Sequence, residues 1–303
     1  MKLVYFLLLS LISTITLSAK EYNLGKIDCN KTMTQYANFS DTFDKAFVGI
    51  PKGVLGIHEP FYGTLEEALK KMPNLKSFAK KLPTVVYMQG SSSFNKGAVY
   101  REWITGEGGF IFFAPNTHTV KNRPTYSSPV PKTYYEKVHA FRQAEIDQFI
   151  KRVHELPFID TNKMFLMGHS EGALAAARYA GKEFVGRIVL SWSCEPGYYT
   201  DYPKVGAKPT DPFLNIIGRD DPYFGRQNPW NNAYHNDGHC GDALFNFTLA
   251  KVVLYPNTGH DIANNPYTKR ELLSFIKMFK DLRERRQKEA KQAKAKAEAA
   301  KSK

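Results

Sequence analysis

The 303-residue chain has little cysteine, few acids for its number of bases, and little unbroken apolar sequence. Three cysteines cannot staple a disulfide-dense miniature fold. Beyond residue 12 no apolar run approaches the eighteen residues of a spanning helix, so stable membrane insertion of the mature chain is not expected. No internal repeat and no Pro/Gly-rich linker divides the middle, which argues for one domain. At 43% hydrophobic and 23% charged, the bulk of the chain is not disordered. The acid deficit is the ambiguous feature. With 42 Lys+Arg against 29 Asp+Glu, a net +13 invites a nucleic-acid or anionic-surface partner. Where the charge sits decides the matter.

Part of it sits at the ends. Lys2 precedes a ten-residue apolar run, Leu3 to Ile12, and Leu17-Ser18-Ala19 closes it with small residues. Residues 1–19 therefore read as a secretory signal peptide cleaved after Ala19, which makes the mature protein exported, periplasmic or secreted. Residues 281–303 hold nine Lys/Arg against four acids and no apolar stripe after Leu282. Ala, Lys and Glu favour a helix there, but none of its sides would face a core. A basic tail over 283–303, solvated and open to contact with anionic envelope components, is the expectation. Residues 20–280 keep a net +7 and carry no nucleic-acid motif, so no nucleic-acid partner is expected.

Between the ends, short apolar runs recur at Val85–Met88, Phe110–Ala114, Met164–Met167, Arg187–Trp192, Phe213–Ile217 and Lys251–Tyr255. Most are continuous rather than alternating, as in strands covered on both faces. Helical patterns lie between them at Val138–His154, Ala173–Ala180 and Tyr267–Leu282. Strand–helix alternation predicts an α/β domain with a mostly parallel sheet, over residues 45–282. Residues 20–44 read as an N-terminal extension. Two segments are too long for simple connections, Ser193–Thr210 with Tyr198, Tyr199 and Tyr202, and Tyr223–Asn246 with Trp230, Tyr234, His235 and His239. Such loops form lids or binding surfaces.

The chemistry concentrates at Gly168-His169-Ser170-Glu171-Gly172, with a strand pattern before it and a small-residue helix pattern after it. A nucleophile on so sharp a turn needs glycine two residues to either side, where side chains would collide with strand and helix. The turn lifts the Ser170 hydroxyl to a helix N-terminus, where developing negative charge is stabilised. Serine needs a base, and the base an orienting acid. Asp221 follows the strand ending at Gly218, and His260 follows the strand ending at Tyr255. His260 would take the Ser170 proton while Asp221 holds its other nitrogen. Asp220 is the alternative acid, and Asp261 is the weaker one because it adjoins the base it would have to face. The amides of Glu171 and Ser91 are the expected oxyanion donors, with Ser92 in reserve and Gly90 letting the backbone bend.

This constellation resembles the α/β-hydrolase superfamily, nearest to its dienelactone-hydrolase-like branch of esterases, over about Val85 to Leu282. The resemblance implies an α/β-hydrolase fold of about eight mostly parallel strands, helices on both faces and a loop-rich lid. It implies hydrolysis of an ester, thioester or amide without a cofactor. Two departures stand out. Gln89-Gly90 occupies the place where many relatives have His-Gly, and Ser170 stands where true dienelactone hydrolases have cysteine.

In an oxidising compartment Cys194 and Cys240 can bridge the two long loops, leaving Cys29 over. His235 to Cys240 has metal-ligand residue types without standard zinc spacing, so no metal is expected. The reading is an exported serine carboxylesterase acting on a small-molecule ester. A serine peptidase or amidase of the same fold is the alternative within enzymes. The non-enzyme alternative is a silent binding protein, which filled triad positions disfavour. Oligomeric state and substrate are not legible in the sequence.

Overall fold

The computed structural model describes residues 28–230 and 235–301. The expected signal peptide and Tyr234 lie outside the described residues. The chain enters through two short helices, α1 (Cys29–Thr34) and α2 (Asp41–Asp44). A hairpin follows, β1 (Phe47–Ile50) and β2 (Phe61–Thr64), then α3 (Leu65–Lys71) and β3 (Leu82–Met88). Helix α4 (Asn95–Glu102) leads to β4 (Ile111–Ala114), α5 (Lys132–Arg152) and β5 (Ile159–His169). Next come α6 (Glu171–Arg178), β6 (Gly186–Leu190), β7 (Phe213–Gly218) and β8 (Ala250–Tyr255). Helices α7 (Thr268–Phe279) and α8 (Leu282–Lys301) complete the described chain.

The eight strands form one sheet in the order β2-β1-β4-β3-β5-β6-β7-β8. Strand β1 runs antiparallel to both β2 and β4, and every other pairing is parallel. This is the α/β-hydrolase fold. Alternation along β3 shows why its residues read as continuously apolar. Val86 and Met88 enter the layer of α3, α5 and α6, while Val85 and Tyr87 enter that of α4 and α7. Both faces are covered, so both sets of positions must be apolar.

All six apolar runs are strands, and the three helical patterns are helices. The hairpin β1–β2 is the main addition. Its strands have four residues each and a central glycine, Gly49 and Gly63, which weakens a strand signal. A side chain at position 49 would collide with Thr105, so the missing bulk reflects close packing. Strand β6 stops at Leu190, before Ser191 turns the backbone to φ 54°.

The N-terminal stretch, read as an extension, packs on the domain. Phe39 meets Phe141 of α5 edge-on at 5.3 Å, and Phe43 is 2% exposed between Phe113 and Phe149. At the other end, Lys280 and Asp281 break α7 from α8, and the first turn of α8 is anchored. Arg283 donates to the carbonyls of Thr161, Lys182 and Glu183, and Lys163 pairs with Asp281 and Glu284 at 3.1 Å. Beyond that turn the helix is exposed. No helix among the described residues is long and apolar enough to cross a membrane.

Truncating a buried phenylalanine leaves a large cavity. Phe43→Ala should therefore lower the unfolding free energy by about 3 kcal/mol or more in denaturant titration. Lys45→Ala, two residues on and exposed, should change it by less than about 0.5 kcal/mol. Equal stabilities would mean that residues 28–44 contribute nothing to the core.

Candidate active site

Strand β5 runs without a loop into α6, and Ser170 is the hinge. Its backbone sits at φ 56°, ψ −120°, a region that L-residues avoid. Two glycines make that turn possible. A side chain on Gly168 would collide with the backbone of Gly172, and one on Gly172 with the carbonyls of Met88 and Gln89. The turn is held by Ser170 N–H donating to Leu190 O at 2.9 Å and by Ser170 O accepting from Ala173 N at 2.9 Å. The amide of Glu171 then lies in the first turn of α6, where no carbonyl of the helix can accept from it. The contact of Gly172 with the end of β3 also brings the loop Gln89–Ser93 against this turn. Gly90, Ser91, Ser92, Ser170 and His260 all line one cleft of about 1130 Å³.

The structure brings His260 to Asp221. Nδ1 lies 2.7 Å from Asp221 Oδ2, and Asp221 Oδ1 accepts from the amides of Tyr223 (2.8 Å) and Phe224 (3.1 Å). Asp221 is 2% exposed, so this carboxylate is held at both oxygens away from water. The neighbouring acids go elsewhere. Asp220 is exposed, and Asp261 pairs with Lys96 and accepts from Asn264.

Two residues beneath His260 hold its backbone, and sequence reasoning missed both. Ser191 Oγ donates to His260 O at 2.7 Å, and His169 Nε2 lies 3.3 Å from the same oxygen. A carbonyl only accepts, so the His169 proton sits on Nε2. Burial, with His260 nearby, lowers the His169 pKa to about 4, which keeps the ring neutral at pH 7.

Under the turn lies a cluster of buried charge. Glu171 Oε1 is 2.7 Å from Arg123 Nη2 and 3.5 Å from Arg142 Nε, and Tyr126 O–H donates to Oε2 at 2.9 Å. Arg142 pairs with Glu145 at 2.6 Å, and burial raises the Glu145 pKa to about 7. A sequence signal existed for this cluster. Arg142 and Glu145 occupy the same stripe of α5 as Val138 and Phe149, where apolar residues belong.

One wall of the cleft is aromatic, formed by Tyr126, Tyr198, Tyr199, Tyr223, Phe224 and Trp230. The Tyr223 ring stands edge-on to His260 at 4.7 Å, and Trp230 meets Tyr198 at 4.9 Å. Tyr223 and Trp230 stay 39% and 38% exposed. Polar residues also line the cleft, among them Ser91–Ser93, Asn95, Lys96, Asn257 and Thr258. The two long loops behind the aromatic wall are joined by the Cys194–Cys240 disulfide, with Cα atoms 4.8 Å apart. They are also sewn by Glu195, which accepts from the amides of Asp237 and Gly238. Cys29 is free and half-buried. Among the described residues no group of three His, Cys, Asp or Glu side chains could hold a metal ion.

No protein-family model matches the sequence, and no curated protein matches it. Solved structures resemble it at low identity, each with a TM-score under 0.5. A ferulic acid esterase from the anaerobic fungus Anaeromyces mucronatus is 18% identical with a TM-score of 0.47, over 65% of this chain and 78% of its own. An esterase from Pyrobaculum calidifontis is 15% identical with a TM-score of 0.42, over 67% and 78%. Est1E from Butyrivibrio proteoclasticus is 14% identical with a TM-score of 0.41, over 69% and 91%.

Two measurements test the site's framework. Under denaturing, non-reducing conditions one thiol should react, that of Cys29, whereas three would mean that the loop bridge is absent. The second concerns His169. Below its unfolded pKa near 6.5 the unfolded chain takes up a proton that the folded ring refuses until about pH 4. Its contribution to stability is therefore full above pH 6.5 and lost as the pH falls toward 4. The Tm difference between wild type and His169→Gln should shrink across that window. A difference constant from pH 7 to 4 would mean that the ring is not buried neutral.

Proposed function

We propose that this protein is a serine hydrolase that cleaves carboxylic esters through an acyl-enzyme on Ser170. The observation that carries the proposal is the His260–Asp221 pair at 2.7 Å, in the same cleft as a serine on a strained strand-to-helix turn. Ser170 Oγ attacks the ester carbonyl carbon while His260 Nε2 takes its proton. Asp221, bonded to Nδ1, keeps the ring in the tautomer that leaves Nε2 free to accept, and stabilises the imidazolium that forms. The carbonyl oxygen becomes an oxyanion held by the amides of Glu171 and Ser91. Collapse of the intermediate breaks the bond to the alcohol oxygen, which receives the proton from His260. Water then repeats the sequence on the acyl-enzyme, and the acid is released.

Pocket chemistry supports a division of the substrate. The leaving oxygen must lie within reach of His260, beside the polar residues Asn257 and Thr258. Tyr126, Tyr198, Tyr199 and Trp230 in the same cleft suit a flat or apolar acyl group, since aromatic faces favour stacked or edge contacts with such groups. Export belongs to the same proposal. The N-terminal signal pattern supports it, and so does the Cys194–Cys240 bridge, because structural disulfides persist in oxidising compartments. In that setting the basic side chains of α8 beyond its anchored turn would face anionic envelope polymers.

With p-nitrophenyl acetate, Ser170→Ala should lower kcat/KM by at least about 10⁴-fold. Asp221→Asn should cost a comparable factor, because the amide favours the wrong tautomer of His260. Asp220→Asn should stay within about twofold of wild type. Activity retained in Ser170→Ala would overturn the mechanism. Activity retained in Asp221→Asn and lost in Asp220→Asn would transfer the acid role.

A further inference from the structure

We infer that Arg142 is a positioning residue that sets the spacing between the two arms of the oxyanion hole. The inference rests on the acyl-enzyme reading and goes beyond it to a residue that touches neither substrate nor triad.

An oxyanion hole works only when two N–H groups converge on one point, within about 2.7–3.1 Å of the developing charge. Here they belong to separate segments, the first turn of α6 and the loop after β3. Arg142, from α5, contacts both. Its Nη2 donates to the carbonyl of Gln89 at 2.8 Å, two residues before the Ser91 amide. Its Nε lies 3.5 Å from Oε1 of Glu171, the residue whose own amide is the other donor. Its Nη1 is anchored by Glu145 Oε2 at 2.6 Å. A guanidinium is planar, with its nitrogens at fixed separations. One rigid group therefore hydrogen-bonds to one arm and lies within ion-pair distance of the other.

Burial keeps these charges in place in a way that a surface pair could not be kept. The side chains of Arg142, Glu145, Glu171 and Arg123 are each at most 4% exposed. Glu171 cannot swing away, because Arg123 holds Oε1 and Tyr126 holds Oε2. Arg123 is held in turn by Thr117 Oγ1 at 2.7 Å. Burying ions is costly, and a well-packed apolar group often stabilises as well or better. An apolar residue at position 142 could fill the space, but it could not hold a backbone carbonyl and a carboxylate at once.

A second arginine supplies the control. Arg178 of α6 makes a two-pronged pair with Glu136 of α5, at 2.8 and 3.0 Å, between the same two helices but away from both donors. If Arg142 only glued α5 to α6, the two residues would behave alike.

The test compares Arg142→Lys, Arg142→Met and Arg178→Lys on p-nitrophenyl acetate. Turnover is counted per active site titrated with diethyl p-nitrophenyl phosphate, so unfolded protein is not counted. An ammonium can serve one partner of the three. Arg142→Lys should lower kcat about 10-fold and Arg142→Met about 100-fold, with KM within about twofold. Affinity for phenylboronic acid, whose tetrahedral adduct occupies the hole, should fall by the same factors as kcat. Arg178→Lys should leave kcat and boronate affinity within about twofold. If Arg142→Met fails to fold, the Lys variant decides. If both fail, Glu171→Gln carries the same expectation, because it keeps the amide donor and weakens the link. Folded Arg142 variants with wild-type kcat and boronate affinity would overturn the inference, as would equal losses in Arg178→Lys. A wild-type protein that takes no phosphate label and shows no turnover would instead overturn the hydrolase reading.

Discussion

The backbone of Ser170 at φ 56°, ψ −120° is the constraint on which the rest of the site depends. A residue in that region costs of order 1–3 kcal/mol and persists only when its surroundings over-determine it. Here β5 and α6 do so from either side, with Gly168 and Gly172 removing the two clashes that would open the turn. One consequence reaches outward. Because Gly172 lies against Met88 and Gln89, the loop that follows β3 is carried to the N-terminus of α6. The loop after β3, the Ser170 turn and the sheet are therefore one packing problem. A second strained residue, Ser191, answers it from β6. Its hydroxyl and the buried imidazole of His169 grip the carbonyl of His260, so His260 is held by its backbone as well as by Asp221.

Much of this was legible in the sequence, for physical reasons that differ from element to element. The strands flanking Ser170 are covered on both faces, so their apolar residues run on without alternation and the runs stand out. The nucleophile turn is legible because its sterics admit only glycine at two places. Strands β1 and β2 escaped notice because four residues around a glycine carry no clear period. Helices α1 and α2 are too short to show an apolar stripe, and the aromatic contacts of Phe39 and Phe43 reach residues about a hundred positions away. The grip of Ser191 on His260 had no sequence signal, since a serine after a strand is ordinary. Arg142 and Glu145 did leave one. Two charges on the buried stripe of α5 are a conflict between local pattern and global fold, and such conflicts gather at functional sites.

The basic character that opened the question has a place in the fold. Its densest run forms α8, whose first turn is fastened by Arg283 and Lys163 and whose remainder stands in solvent. The cleft itself is not a basic surface. It is lined by aromatic and uncharged polar residues, with Lys96 paired to Asp261 beside His260. Charge and chemistry are thus separated along the chain, and the cystine between Cys194 and Cys240 shapes the chemical part by holding the aromatic loops together.

The most direct measurement of the central claim is the position of covalent labelling by a fluorophosphonate, located by peptide mass spectrometry. A serine made nucleophilic by this turn and its base should give one adduct per chain, on the peptide containing Ser170, and the adduct should be lost on boiling before labelling. An unlabelled protein, or an adduct on any other residue, would contradict the account.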